Sequence, residues 1–450
     1  MTRLLMAVLA TFLFVSPLVL PAQAQLQVRV TDGNASQTPL AIPDFEVRGG
    51  DPELARQIAD VVRADLESTG LFDVQNDAAF IQKDLSIDNR PRFADWRIIK
   101  TEGLVVGAFE QLPDGKLAVS FRLWDVYAGE VMRINGQPGR RLTTTPDNWR
   151  RVAHKIADSI YQRITGEDPY FDSRIVYIAE TGPKIDRVKR LAIMDADGAN
   201  QQYLTTGRHT VLTPRFSPSA QEITYMSYEG NKARVYLFNI ETGRQELLGN
   251  FDGMTFAPRF SRDGQSVLLT QARGGNSDIY IMNLQTRQSR RLTDHPAIDT
   301  SPSMSPDGSA IVFTSDRGGS PQLYIMNTDG SPRTCPSGGR DNACRITFGK
   351  GQYSTPVWSP RGDLIAFTKQ SGSFFIGVIG TDGKGERLLT EAYLDEGPDW
   401  SPNGRVITYF RETRPGSGPQ LWSVDLSGRN EQKLKTETDS SDPAWSPLLK

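Results

Sequence analysis

Residues 301–317 read SPSMSPDGSAIVFTSDR, and close variants of this stretch recur through the second part of the chain. The variants are TPRFSPSAQEITYMS from Thr213, APRFSRDGQSVLLTQ from Ala257, TPVWSPRGDLIAFTK from Thr355 and GPDWSPNGRVITYFR from Gly397. A shortened copy, DPAWSPLLK, begins at Asp442 and runs to the last residue. A unit that recurs this often predicts a repeat architecture.

The spacing of the copies predicts which repeat it is. Each copy is anchored by a proline, and successive prolines lie 42 to 54 residues apart, at Pro214, Pro258, Pro302, Pro356, Pro398 and Pro443. A period of about 40–45 residues is typical of propeller blades, which are four-stranded antiparallel sheets. Each unit divides into a Pro-x-aromatic strand A, a Ser-Pro-Asp-Gly type turn, a β-branched strand B, a strand C such as residues 323–327, and a short strand D such as residues 291–293.

The four strand series do not begin and end together. The first strand B, at Ile175, has no strand A before it, and the last strand A, at Pro443, has no strand B after it. Pairing residues 443–447 with the blade that begins at Ile175 solves both problems and leaves no open sheet edge. The sequence therefore predicts a six-bladed β-propeller over residues 173–450, closed by the C-terminal strand.

The residues before the propeller predict two further parts. Arg3, the apolar run after it and the Ala22-Gln23-Ala24 pattern indicate a signal peptide over residues 1–24, with a retained membrane anchor as the alternative. Residues 25–166 predict a small α/β domain. Its elements are strands over residues 26–31 and 40–45, helices over residues 51–69 and 147–165, and a hairpin over residues 103–126, with residues 166–173 as the linker.

Cysteine, histidine and charge counts bear on cofactors and partners. The chain has two cysteines, Cys335 and Cys344, inside a ten-residue insertion between strands C and D of one blade, where export favours a disulfide between them. With only three histidines, we expect no metal site and no cofactor. A net charge of −2 gives no sign of a nucleic-acid-binding surface.

No catalytic motif is present: the chain lacks a G-x-S-x-G elbow, an H-E-x-x-H pair and a nucleotide-binding loop. The carboxylates of Asp316, Asp395 and Glu396 are interpreted as solvated loop charges. The strand A aromatics are interpreted as blade core: Phe216, Phe260, Trp358, Trp400 and Trp445. We therefore expect an interaction protein without catalysis. A periplasmic propeller hydrolase acting on cell-wall glycan or peptide is the alternative.

Three phrases, FTSD at residues 313–316, LDEGP at 394–398 and PAWSP at 443–447, together with this order of domains, resemble the TolB family over essentially the whole mature chain. The resemblance implies a periplasmic, monomeric component of the Tol-Pal system that reaches membranes only through its partners. Those partners would be the lipoprotein Pal, held at a propeller mouth, and TolA. The implied role is outer-membrane integrity and constriction during cell division.

The strand order also predicts where each partner binds. The D–A and B–C loops share one mouth of the propeller, and the residues before each anchoring proline vary there from blade to blade, whereas the A–B turns on the other mouth are nearly uniform. We therefore expect Pal to contact a rim formed by Met254, Phe256, Ala257, Thr300, Ser354 and Glu396, with Arg273 and Arg317 nearby. The family resemblance points to the same rim, except that a histidine is expected where Met254 stands. For TolA we expect the N-terminal segment, with Gln25, Leu26, Val28, Val30 and Asp32.

Overall fold

The computed structural model describes residue 26 and residues 37–219, 221–229, 232–249 and 254–449. The predicted signal peptide lies outside this range, as do Gln25, Val28, Val30 and Asp32 of the expected TolA segment. Within the described range, no helix is both long enough and apolar enough to cross a membrane.

The N-terminal domain is built on a mixed seven-stranded sheet. Its strands are β1 (Thr38–Ala41), β2 (Glu46–Val47), β3 (Phe72–Val74), β4 (Gly103–Gln111), β5 (Leu117–Asp125), β6 (Glu130–Met132) and β7 (Arg140–Thr144). The order is β3-β1-β4-β5-β6, with β2 beside β4 and β7 beside β5. The single strand expected over residues 40–45 is wrong: it is split into β1 and β2 around Pro43, which has no N–H to offer a strand ladder.

In the described residues three α-helices cover this sheet: α1 (Pro52–Ser68), α2 (Phe93–Ile98) and α3 (Trp149–Thr165), with short 3-10 turns at Asp77–Ala79 and Pro146–Asn148. A third 3-10 turn, Lys184–Asp186, lies in the propeller. The Asp51 side chain accepts the N–H of Glu53 and starts α1, and Gly166 at φ 72° ends α3. Helices α1 and α3 pack their apolar faces on one side of the sheet, and α2 places Trp96 on the other. Helix α2 is not among the helices expected from the sequence.

The linker between the domains is packed against the protein. The Asp158 carboxylate of α3 accepts the backbone N–H groups of Tyr170, Phe171 and Asp172 at 3.1, 2.8 and 3.2 Å. The side chains of Tyr170 and Phe171 are buried in a core that also includes Ile175 and other propeller residues. The two domains therefore share one continuous hydrophobic core.

The remainder is a propeller of six four-stranded antiparallel blades. The A strands of blades 1 to 6 are Asp439–Trp445, Thr210–Phe216, Met254–Phe260, Asp299–Met304, Gln352–Trp358 and Leu394–Trp400. The B strands are Arg174–Thr181, Glu222–Glu229, Ser266–Arg273, Ala310–Ser315, Leu364–Ser371 and Val406–Glu412. The C strands are Val188–Asp195, Lys232–Asn239, Asn276–Asn283, Gln322–Asn327, Ser373–Gly380 and Gln420–Asp425. The D strands are Gln202–Tyr203, Gln245–Leu247, Ser289–Arg291, Ala343–Arg345, Arg387–Leu388 and Glu431–Lys433.

The last strand closes the ring as the sequence predicts. Asp439–Trp445 pairs antiparallel with Arg174–Thr181, with Trp445 opposite Ile175. The hydroxyl of Ser446 accepts the N–H of Arg174 at 2.8 Å, which extends the pairing past the strand. The prediction of a six-bladed propeller closed by its C-terminal strand is confirmed.

Every A strand carries a β-bulge at its anchoring proline. The residue before that proline has a left-handed φ, between 46° and 64°, in all six blades: Thr213, Ala257, Ser301, Thr355, Gly397 and Asp442. Only Gly397 adopts this conformation without a Cβ penalty, which is about 1–2 kcal/mol for other residues. Each A strand also contacts the A strands of both neighbouring blades, so the six bulges form a ring around the central channel.

Candidate functional site

Four of the expected rim residues occupy one structural position. Phe256, Thr300, Ser354 and Glu396 are the last residues of their A strands to pair before the bulge. All four are half-buried. The bulge ring brings them together at one mouth of the channel, although they lie 40 or more residues apart in sequence. We call this mouth the rim. It comprises, in each of the six blades, the residue that precedes the bulge and the bulged residue itself.

Two other expected residues lie on the same A strand of blade 3. Ala257 is the bulged residue itself, with φ 51°, and Met254 is the first residue of the strand. The Met254 side chain is 45% exposed, which is high for an apolar side chain. Blade 3 therefore presents an apolar sector of the rim that includes Met254 and Phe256.

The rim is acidic where blade 6 meets blade 1. Burial raises the pKa of Glu396, and the nearby carboxylate of Asp442 raises it further. Asp442 is the bulged residue of blade 1, and its Oδ2 accepts the N–H of Thr213 in blade 2 at 3.1 Å. The rim thus changes from apolar at blade 3 to acidic at blades 6 and 1.

The two arginines expected near the rim differ in what they contact. Arg273 ends strand B of blade 3 and is exposed. Arg317 donates two hydrogen bonds to the buried carboxylate of Asp299, at 3.1 and 2.9 Å, and its guanidinium lies 5.4 Å from the ring centre of Phe313 and 5.0 Å from that of Tyr324. Arg273 is therefore available to a partner, whereas Arg317 is held inside blade 4.

The interpretation of Asp395 and Glu396 as solvated loop charges is wrong, because both lie on the A strand of blade 6 and Glu396 is half-buried. Asp395 is 0% exposed and accepts hydrogen bonds from Arg411 Nε at 2.7 Å, Arg411 Nη2 at 2.8 Å and the Thr390 hydroxyl at 2.6 Å. Asp316 accepts the N–H of Ile298 at 2.8 Å. A buried carboxylate such as that of Asp395 requires such partners, whereas Asp316 is half-buried and fixes the backbone at Ile298.

The opposite mouth contains a cavity of about 590 Å³. It is lined by the Ser-Pro A–B turns and by strand A residues that include Arg215, Arg259 and Asp399. Nη1 of Arg259, in blade 3, lies 3.3 Å from Oδ1 of Asp399, in blade 6. Burial lowers the pKa of Arg259 to about 9, and the neighbouring Arg215 guanidinium also lowers it. The nearly uniform turn motifs do not indicate this cavity in the sequence. The signal that could have indicated it is the residue after each anchoring proline, which is Arg215, Arg259 and Asp399 in three copies and Ser303, Val357 and Ala444 in the others.

The strand A aromatics border the same cavity from the blade core. Trp400 and Trp445 are 5% and 8% exposed, and Phe216, Phe260 and Trp358 pack as half-buried members of neighbouring core clusters. The indole N–H of Trp400 donates to the Val357 carbonyl at 2.9 Å, and that of Trp445 donates to the Ser173 hydroxyl at 2.8 Å. Blade 6 is thereby bonded to blade 5, and blade 1 to the linker.

The remaining expected site residues lie away from the rim. Cys335 and Cys344 are joined by a disulfide in the C–D loop of blade 4, which also forms a small hairpin of Arg333–Thr334 with Arg340–Asp341. The backbone N–H of Leu26 donates to Oδ2 of Asp125 at 3.2 Å, and its side chain packs against the N-terminal domain core. Leu26 is therefore docked at the end of β5.

Comparisons with known proteins agree over nearly the whole chain. The family model described as the TolB amino-terminal domain matches residues 26–132, and the one described as the TolB beta propeller domain matches residues 161–449. The Tol-Pal system protein TolB of Paramagnetospirillum magneticum is 55% identical over 437 residues, which are 96% of this chain and 95% of that protein. The crystal structure of TolB from Acinetobacter baumannii superposes with a TM-score of 0.79 at 30% identity, covering 94% of this chain and 100% of that one.

Proposed function

The chain belongs to the TolB family of Tol-Pal system proteins, and on that premise we propose that it is a non-catalytic periplasmic adaptor that joins the lipoprotein Pal to TolA. Its role is to maintain outer-membrane integrity and to support constriction of that membrane during cell division. The observation that carries the proposal is the rim, where blade-specific side chains are gathered at one mouth of a rigid ring.

The rim has the composition of a protein-binding surface. It combines an exposed methionine and a half-buried phenylalanine in blade 3 with small hydroxyl side chains, Thr300 and Ser354, in blades 4 and 5. Concave surfaces with apolar residues beside a few polar groups are the usual anchor sites of partner proteins. The ring of bulges fixes the backbone below these side chains, so little conformational entropy is lost when Pal binds.

TolA binding is assigned to the N-terminal segment for a different reason. Leu26 is held by one backbone hydrogen bond to Asp125 and by packing of one half-buried side chain. Chain termini are the parts of a protein that most readily exchange between docked and free forms. We propose that the free form binds TolA and that Pal changes the fraction of docked segment, in which case the coupling is reciprocal.

The rim is tested by a Thr300→Glu variant, with Arg262→Glu as its matched control. Thr300 is half-buried on the rim, whereas Arg262 is exposed at the cavity of the opposite mouth. A charge in a buried contact costs several kcal/mol, so Thr300→Glu should weaken Pal binding by at least about tenfold in calorimetry and leave the melting temperature unchanged. Loss of binding in the control, with normal binding by Thr300→Glu, would place Pal on the opposite mouth.

The N-terminal assignment is tested by deleting residues 25–32 from the mature chain. The deletion should abolish TolA binding and retain Pal binding, because the propeller is closed by its own C-terminal strand. The circular dichroism spectrum and the propeller melting transition are the controls for folding. Unchanged affinity for TolA would contradict the assignment.

A further inference from the structure

A cluster of titratable side chains lies where the N-terminal domain meets blade 1. One ring nitrogen of His154 and one carboxylate oxygen from each of Asp195 and Asp197 lie within 4.8 Å of one another. His154 belongs to α3, Asp195 ends strand C of blade 1, and Asp197 lies in the turn that follows. Both domains therefore contribute to the cluster.

His154 is hydrogen-bonded to a carboxylate through one ring nitrogen, and its other ring nitrogen has no hydrogen-bond partner in the described part of the chain. The side chain is 2% exposed, and its Nδ1 lies 2.7 Å from Oδ2 of Asp65 on α1. Its Nε2 is also buried and has no hydrogen-bond partner among the described residues. Buried polar atoms nearly always have a partner. In the neutral imidazole whose Nδ1 proton is donated to Asp65, Nε2 carries the lone pair that a metal ion needs, so binding would displace any proton held at Nε2.

We propose that Nε2 of His154 and the carboxylates of Asp195 and Asp197 bind a divalent transition-metal ion of the zinc class. One imidazole nitrogen and two carboxylate oxygens are a ligand set that zinc accepts, and a water molecule would complete a tetrahedron. Calcium and magnesium are less suited because they prefer oxygen ligands alone. The Asp65–His154 contact is the carboxylate–histidine arrangement found behind metal-bound imidazoles.

The charge of the cluster favours a dication. Three carboxylates, those of Asp65, Asp195 and Asp197, surround His154, and the cationic side chain in contact with them is Arg150. The Arg150 guanidinium is hydrogen-bonded to Asp197, and its Nε lies 3.8 Å from Oδ2 of Asp195 and has no hydrogen-bond partner in the described structure. The Arg150 guanidinium thus competes with a metal ion for the carboxylates of Asp195 and Asp197, and the metal ion would displace it.

The ion would act as a clamp between the domains. Its imidazole ligand comes from the N-terminal domain, and both carboxylate ligands come from blade 1 of the propeller. A ligand that binds only the folded state stabilises it by mass action. Zinc should therefore raise the melting temperature of the protein. The two carboxylate ligands lie 41 and 43 residues after His154 and in the other domain, so the number of histidines could not indicate the site.

The test is a titration of the metal-stripped mature chain with zinc chloride against a chromophoric chelator. We expect one zinc ion per chain with micromolar or tighter affinity, and a cobalt-substituted sample with the visible bands of tetrahedral coordination. His154→Gln should abolish this binding, and Asp65→Asn should weaken it about 10–100-fold as an orienting residue. Arg150→Gln should strengthen binding, because it removes the competing cation.

His295→Gln is the matched control, since His295 is exposed and distant from the cluster in sequence. This variant should bind zinc like the wild type. If His154→Gln fails to fold, Asp197→Asn tests the same site, because the Asp197 side chain is 24% exposed and the change is nearly isosteric. The proposal is overturned if the stripped protein binds no zinc at micromolar concentrations, or if binding survives both substitutions.

Discussion

Arg259 and Asp399 form an ion pair across the central channel, with Nη1 and Oδ1 3.3 Å apart, and so connect the opposite blades 3 and 6. The second oxygen of the same carboxylate, Oδ2 of Asp399, accepts the backbone N–H of Trp445 at 2.7 Å. A single buried side chain therefore bonds both the opposite side of the ring and the strand that closes it.

Replacing Asp399 by alanine should destabilise the propeller strongly. The change leaves the Arg259 guanidinium and the Trp445 N–H without their acceptor in a buried site, and breaking a buried pair from one side costs about 3–5 kcal/mol. Urea unfolding followed by tryptophan fluorescence measures this loss. Asp363→Ala, at an exposed position of an A–B turn, is the control and should change the free energy of unfolding by less than about 0.5 kcal/mol. Equal effects of the two changes would refute the role of Asp399.

Deleting residues 442–450 should open the ring. The deletion removes the paired part of the closing strand around Trp445 and exposes the edge of Arg174–Thr181. Exposed strand edges pair with other chains, so we expect a lower melting temperature and aggregates in size-exclusion chromatography. A control that lacks only Lys450 retains the whole strand and the hydrogen bond from the Leu449 N–H to the Asp172 carbonyl, and should behave as the full chain. A truncated protein that melts within a degree or two of the full chain would contradict the closure.

Glu396 should make stability depend on pH in a defined direction. Its pKa in the folded protein is raised, so the folded state holds its proton at pH values where the unfolded chain, with a pKa of about 4.3, has lost it. The contribution of Glu396 to stability is thus full below the unfolded pKa and is lost as pH rises through the folded one. Glu396→Gln should therefore raise the melting temperature at pH 7.5 and change it little at pH 4. Glu391→Gln, at an exposed site, should show no such difference.

The Cys335–Cys344 disulfide should reinforce its loop without affecting Pal. Mass spectrometry of the unreduced exported protein should show a mass two protons lower than that of the reduced form. The double Cys→Ser change should cost at most about 2–3 kcal/mol, because the closed loop is short. Pal binding should be unaffected, since the C–D loop lies on the face opposite to the rim. Free thiols in the exported protein, or a loss of Pal binding, would contradict these expectations.

The propeller could be predicted because each blade repeats the same short turn and strand motifs. Ser-Pro-Asp-Gly turns determine where strands A and B meet, and in the Ser305 turn the Asp307 carboxylate accepts the Ser305 hydroxyl at 2.5 Å and the Ser309 N–H at 3.1 Å. The ring closure follows from counting strands, since an unpaired A strand at one end fits an incomplete blade at the other. These features depend on neighbouring residues or on the number of repeats.

Features that depend on tertiary contacts could not be predicted in this way. The left-handed residue before each proline contradicts the local rule that this position prefers extended backbone. Asp395 looks solvated in sequence because its partner Arg411 lies on the next strand. Four of the expected rim residues share a register position that the repeat reveals. The ion pair that holds Arg317 inside its blade could not be predicted, because its partner is a buried carboxylate 18 residues away. The cluster at His154 combines two domains and has no sequence signature.

Closure by the last strand also determines the order in which the protein can be completed. The N–H of Arg174 bonds a hydroxyl 272 residues further along the chain. Joining the ends of a loop of that length costs about 3 kcal/mol more chain entropy than closing a hairpin. Contacts of such long range slow folding. Blade 1, whose B strand comes first in the chain, is therefore finished last, and until its A strand pairs, its open edge can pair with another chain.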